Sequence, residues 1–216
     1  MSEIYPVPTD MKARTLIDEA TYESMYQRSI ADPEAFWAEK AEEFHWFKKW
    51  DTICSYNYDM DKGPISIKWF EGGKTNITYN CLDRHLESKG DQSAIIWEGN
   101  SPDEDATLTF RELHEQVCKF ANVLKSRGVK KGDRVGIWAP NCSEWTVTQF
   151  ATAKIGAIVV NINPSYRTHE LEYALNQSGA RFLVTANRFK TSDYSAMLYE
   201  LAPELNTCAE GQLTSQ

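Results

Sequence analysis

Between residues 134 and 184 the chain alternates short apolar runs with longer amphipathic stretches. The runs are 134–138 (RVGIW), 157–162 (AIVVNI) and 181–184 (RFLV). The stretches between them, 144–155 and 169–178, are each closed by a glycine, Gly156 and Gly179. A strand that is apolar along its whole length must be covered on both faces, and helices do this in parallel sheets. Glycine at each stretch's end supplies the left-handed residue that stops a helix. The pattern predicts an α/β fold: a parallel sheet with flanking helices, in βαβ order.

Upstream, Ala94-Ile95-Ile96-Trp97 reads as a strand, and Thr107-Leu108-Thr109 as its returning partner across the turn residues Asn100-Ser101-Pro102-Asp103. Thr109 and Glu112 form a capping-box pair. Leu113, Val117, Phe120, Ala121 and Leu124 then recur at helical spacing, and Gly128 ends that helix. A last helix is expected over 194–201, before a polar tail from Asn206. Residues 1–85 differ from this, being aromatic and charged and mostly helical or irregular in expectation. A short helix is expected over 21–29. Asp32-Pro33-Glu34 is a strong helix start, with the helix expected to reach Trp46 and to present Phe36, Trp37, Phe44 and Phe47 on one side. The chain thus divides into an extension, 1–85, expected to wrap the next domain rather than fold alone, and an α/β portion, 86–216.

Composition narrows the function. The 216 residues carry a net charge of −8, which gives no general attraction to nucleic acid or an anionic membrane. The basic run at 125–131 is short and sits at a helix end, where cations suit the dipole. Five scattered cysteines (54, 81, 118, 142, 208) and four histidines (45, 85, 114, 169) show neither CxxC nor HxxxH spacing. Reduced thiols and a cytoplasmic location are expected, with no metal site. No apolar run of about 18 residues exists for a membrane span. The N-terminal stretch lacks the apolar core of a secretory signal, so the sequon Asn76-Ile77-Thr78 is read as chance.

One motif imitates a nucleotide site. Gly72-Gly73-Lys74-Thr75 resembles the end of a phosphate loop, but the required first glycine is Lys68. The following Asn76-Ile77-Thr78-Tyr79-Asn80 is rich in β-branched and turn-forming residues, a poor helix by propensity. A surface turn is expected. A dinucleotide fold is also disfavoured, because the turn after Trp138, Ala139-Pro140-Asn141-Cys142, has no glycine.

The segment NITYNCLDRHL (76–86), with Tyr5-Pro6-Val7-Pro8, Asp32-Pro33-Glu34-Ala35-Phe36-Trp37, Thr109-Phe110-Arg111-Glu112-Leu113 and Gly132-Asp133-Arg134-Val135, resembles acetyl-CoA synthetase in content and order across 1–138. From 139 to 210 the chain resembles the fatty-acid branch, as in medium-chain acyl-CoA synthetases. Pro140-Asn141-Cys142-Ser143-Glu144-Trp145 and Asn161-Ile162-Asn163-Pro164-Ser165-Tyr166 carry that likeness. Both branches are AMP-forming acyl-CoA synthetases of the adenylate-forming superfamily.

The resemblance implies the N-terminal, incomplete portion of the adenylate-forming large domain. It also implies ATP, Mg²⁺ and CoA as the full-length family's cofactors, although none is expected for this chain alone. Asn163, Pro164, Ser165 and Arg167 fall in the region expected on the CoA side. The basic residues that meet CoA in the acetate branch would fall near Ala174 and Gln177, so the chain departs from the pattern there. The family's Ser/Thr/Gly-rich phosphate loop, its Mg²⁺-linked glutamate, its ribose-binding aspartate and its C-terminal domain with a catalytic lysine are missing from these residues. No catalytic residue is therefore assigned. His85 and His114 are expected as packing or surface residues, Asp133 in a turn, and Glu144 at a helix start. The expected function is a fragment of an acetate-CoA ligase-like enzyme, inactive alone, whose partner is the remainder of a synthetase or a full-length homologue. The alternatives are a non-catalytic binding module or half of a split medium-chain ligase.

Overall fold

The structure, a computed structural model, describes residues 5–99, 101, 103–209 and 211–213. It forms two compact units, Met1–Thr75 and Asn76–Gln216.

In the first unit the helices are α1 (Thr9–Arg14), α2 (Glu19–Ala31) and α3 (Pro33–Ala41), and β1 (Thr52–Asn57) pairs antiparallel with β2 (Ser66–Glu71). Asp18 and Asp32 cap α2 and α3 by accepting from the Thr21 and Ala35 amides, and Pro33 takes the first turn of α3. Helix α3 stops at Ala41, short of the expected Trp46. The reason is local: the Trp46 indole N–H donates to the Ala41 carbonyl at 2.9 Å, and its ring packs against Trp50 and Phe70. The expected aromatic stripe is therefore broken. Phe36 is buried, but Phe44 and Phe47 are 54% and 60% exposed.

The Gly72–Thr75 stretch is a turn. The backbone is left-handed at Phe70 and Gly72, and the Gly73 amide closes back onto the Phe70 carbonyl. Lys74 then bridges to Lys48, and the Thr75 hydroxyl donates to the His45 carbonyl at 2.8 Å.

The second unit opens differently from expectation. Residues 77–81, a poor helix by propensity, form α4 (Ile77–Cys81). The Asn76 carboxamide oxygen accepts from the Thr78 and Tyr79 amides, which satisfies the helix start. The Asn76 carboxamide nitrogen and the Thr78 hydroxyl donate to the Ala153 and Phe150 carbonyls. Tertiary bonds thus override weak propensity. They also place 76–85 with the second unit, whereas the sequence suggested a boundary at 85/86.

After a 3₁₀ turn at Asp83–His85 come α5 (Leu86–Lys89) and the antiparallel pair β3 (Ser93–Glu98) and β4 (Asp105–Thr109). The expected turn between them includes Asn100 and Pro102, which lie outside the described residues. Helix α6 (Phe110–Ser126) starts at a complete Thr109/Glu112 capping box. Then follow β5 (Arg134–Trp138), α7 (Ser143–Ile155), β6 (Ile158–Ile162), α8 (Thr168–Ser178) and β7 (Phe182–Thr185). A two-residue pair, β8 (Arg188–Phe189) and β9 (Ser192–Asp193), leads into α9 (Tyr194–Leu201).

The sheet is parallel, in the order β6-β5-β7. Because side chains alternate along β5, its two faces feed different cores. Val135 joins Leu113, Val117, Leu124, Val147 and Ala151 beneath α6 and α7. Trp138 joins Ile162, Leu171, Tyr194 and Met197 beneath α8 and α9. Helices thus cover both faces, and each buried Leu, Val or Ile contributes roughly 1.5–3 kcal/mol relative to exposure.

Candidate functional site at the carboxyl ends of the parallel strands

Strand β5 is central, and its neighbours β6 and β7 lie on opposite sides. The chain passes from β5 to β6 and then crosses back past β5 to β7, so the strand order reverses beside β5, and the crevice at the strands' carboxyl ends there is the usual ligand position in such sheets. Here that edge is built from the ends of β5 and β7 and from the segment 163–167 that follows β6.

Two buried rings fix the 163–167 segment. Trp138 and Tyr194 are both fully buried and stack with centroids 3.6 Å apart and planes 14° from parallel. The Trp138 indole N–H donates to the Asn163 carbonyl at 3.1 Å, and the Tyr194 hydroxyl donates to the Pro164 carbonyl. Burial pushes the Tyr194 phenol's pKa up, which keeps it a donor. The Asn163 side chain accepts from the Ser165 amide at 2.9 Å, and the Tyr166 amide closes onto the Asn163 carbonyl. The Arg167 guanidinium donates to the Ser192 hydroxyl at 2.8 Å, while the Arg167 amide donates to Glu170 at the start of α8. All four sequence-suggested residues, Asn163, Pro164, Ser165 and Arg167, thus lie on one ordered segment.

An open groove of about 480 Å³ adjoins it along α8, lined by His169, Glu172, Tyr173, Asn176 and Gln177. A smaller adjacent groove brings in Tyr166 and Ala174. The positions noted for their lack of basic residues, Ala174 and Gln177, are therefore groove walls. Tyr173 is exposed and offers a ring face to a flat ligand. The charged side chains lining the two grooves are Glu170 and Glu172, so the walls do not form an anion cradle.

On the β5 side, Cys142 and Glu144 open α7. The Glu144 carboxyl is held below its usual pKa, chiefly by its own backbone N–H, and burial raises the Cys142 thiol. Glu144 is thus the helix-start carboxylate its position suggested. Asp133 lies in a turn, accepting from the Lys130 amide at 2.7 Å. His85 packs edge-on against Phe110, and His114 lies on α6 beside Asp83 and Cys118. Among the described residues no group of three His, Cys, Asp or Glu side chains could hold a metal ion. Sequence reasoning missed the Trp138–Tyr194 stack, since its members are 56 positions apart in the numbering.

Comparison with known proteins agrees with this architecture. Residues 82–214 match the family described as AMP-binding enzyme, and residues 22–81 match the acetyl-coenzyme A synthetase N-terminus. The chain belongs to the AMP-binding enzyme family. It is 45% identical to the acetyl-coenzyme A synthetase of Bartonella quintana (strain Toulouse) over 189 residues, 87% of this chain and 28% of that protein. It is 47% identical to that of Magnetococcus marinus over 186 residues, 86% of this chain and 28% of that protein. These matches are too long to stop at residue 138, so the acetate-branch likeness continues into the fatty-acid-like segment. The acetoacetyl-CoA synthetase from Streptomyces lividans shares the fold, with a TM-score of 0.75 at 24% identity over 87% of this chain and 29% of that one. The chain spans about 28% of the length of the curated relatives it matches.

Proposed function

We propose that this chain is the N-terminal portion of an AMP-forming acyl-CoA ligase of the acetate-CoA ligase type. The observation that carries this reading is the 42–47% identity to acetyl-coenzyme A synthetases over 86–89% of the chain. In the proposed reaction a carboxylate oxygen attacks the α-phosphorus of ATP and pyrophosphate leaves. The CoA thiolate then attacks the acyl carbon and AMP leaves. Residues 86–216 supply the first part of the adenylation domain and residues 1–85 an extension to it.

The described residues offer no cluster of metal ligands, and the helix start that follows Gly72–Thr75 has its Thr78 and Tyr79 amides taken by the Asn76 side chain and not turned to a phosphate. The triphosphate and Mg²⁺ are therefore assigned to the remainder of a synthetase, which is also the proposed partner. This chain alone does not turn over. The segment 163–167 and the Tyr173 groove are assigned to the CoA side, where a flat ring fits better than a phosphate. The five cysteines are free thiols, as suits a cytoplasmic enzyme, and among the described residues no helix is long and apolar enough to cross a membrane. ATP–pyrophosphate exchange by the purified chain, with acetate and with hexanoate, tests the inactivity. Background exchange is expected, and robust exchange by the chain alone would overturn it.

A further inference from the structure

Strand β7 bonds β5 on one side, and among the described residues no strand pairs with its other side. The Arg181 amide, just before β7, donates to the Arg134 carbonyl at the start of β5. Amides alternate sides along a strand, so that of Leu183 also faces β5, and those of Phe182 and Val184 face the free edge. Phe182, Leu183 and Val184 are partly exposed, whereas Val135, Ile137 and Trp138 of β5 are buried. Phe182 and Val184 pack against one core and Leu183 against the other, so both cores reach this edge. An apolar strand of a parallel sheet is normally enclosed, and an open edge is a template for another strand.

The crossovers specify which strand fits. Helix α7 joins β5 to β6 and packs with α6 on one face of the sheet, and α8 joins β6 to β7 and packs with α9 on the other. The two crossovers run in opposite directions on opposite faces, so they share one hand, as connections between parallel strands do. Helix α9 follows β7 and lies on the α8 face. A crossover of the same hand through α9 therefore runs the way α8 runs, onward past β7. The strand that it delivers is parallel to β7 and lands on the free edge. A second copy related by a two-fold axis across that edge would instead bring its own β7 antiparallel.

The match to the acetyl-coenzyme A synthetase N-terminus, and to 28% of the Bartonella quintana protein, leaves most of that relative beyond the matched region. We infer that the free edge of β7 is an interaction surface. Its occupant is a parallel strand from the remainder of a synthetase, the first strand after the region matched here. This rests on the reading of the chain as the front of such a ligase. Phe182 and Val184 offer their outward N–H and C=O groups to the incoming strand. Because both cores continue past the edge, that strand is apolar on both faces.

Residue-resolved amide hydrogen exchange tests this in two proteins. One is the full chain alone, and the other is a joined protein in which the chain replaces the matching region of the Bartonella quintana synthetase. In the chain alone, Leu183 should be protected while Phe182 and Val184 exchange fast. In the joined protein Phe182 and Val184 should slow by roughly ten-fold or more, as bonded amides of a core strand do. Fast exchange at both positions in the joined protein would overturn the inference. So would slow exchange at both in the chain alone, and slowing that deepened with protein concentration would assign the edge to a second copy. ATP–pyrophosphate exchange by the joined protein is read separately. Activity with fast Phe182 and Val184 amides would reject the edge and keep the ligase reading. Slow amides without activity would do the reverse.

Discussion

Trp138 ends the central strand and Tyr194 begins α9, yet their rings stack at 3.6 Å and each holds one carbonyl of the Asn163-Pro164 pair. One buried ring pair thus fixes the segment after β6. Tyr194→Phe keeps the stack but strands the Pro164 carbonyl, and should destabilise by about 1 kcal/mol. Tyr194→Ala should cost roughly 3–5 kcal/mol, because the cavity adds to the lost burial. Urea unfolding measures both. Amide exchange at Ser165 and Tyr166 should quicken in each variant, more in Tyr194→Ala.

Helix α8 buries Leu171 completely and exposes Tyr173. Leu171→Ala should therefore cost roughly 2–5 kcal/mol. Tyr173→Ala should stay within about 0.5 kcal/mol of wild type, since it removes surface area alone. In an enzyme completed by the rest of a synthetase, Tyr173→Ala should raise KM for CoA and leave KM for ATP unchanged. Steady-state kinetics with each substrate varied in turn decides this.

Glu112 gives the capping box a pH signature. The Thr109 backbone N–H, and then its hydroxyl, hold the Glu112 carboxyl below its ordinary value of 4.5. A depressed carboxylate stabilises the folded chain fully above the unfolded value. That contribution is lost as pH falls below 4.5 through the folded value. Glu112→Gln should lower the urea midpoint at pH 7, and the gap to wild type should close toward pH 3. A gap that stays constant with pH would contradict this assignment.

Gly72 and Lys74 separate a turn from a phosphate loop. Gly72 has φ of 79°, and a Cβ there would meet Asp51 Oδ2 at 2.0 Å. Gly72→Ala should destabilise by about 1 kcal/mol or more, through the left-handed backbone and the displaced carboxylate. Lys74→Ala should leave ATP–pyrophosphate exchange by a completed enzyme unchanged. A phosphate-loop lysine would lose most of it.

The parallel portion of the fold was legible because its signals are local. The apolar runs at 134–138 and 158–162, the capping box at Thr109 and the closing glycines 156 and 179 each act within a few residues. The departures come where a side chain from outside the element decides. Residues 77–81 are helical because Asn76 caps them and, with Thr78, bonds to Ala153 and Phe150. Helix α3 stops at Ala41 because Trp46 turns back to it. The four suggested site residues fell together because they are contiguous. The stack that fixes them, and the link from Arg167 to Ser192, join residues far apart in the chain and left no periodic trace.

Whether these residues are the front of an acetate-type ligase is decided by a joined enzyme. The matching region of the Bartonella quintana synthetase is replaced by this chain, and ATP–pyrophosphate exchange is measured with acetate and with hexanoate. Carboxylate-dependent exchange well above that of the isolated chain is expected, with acetate the better substrate. A folded, monodisperse joined protein that showed no exchange with either acid would contradict it.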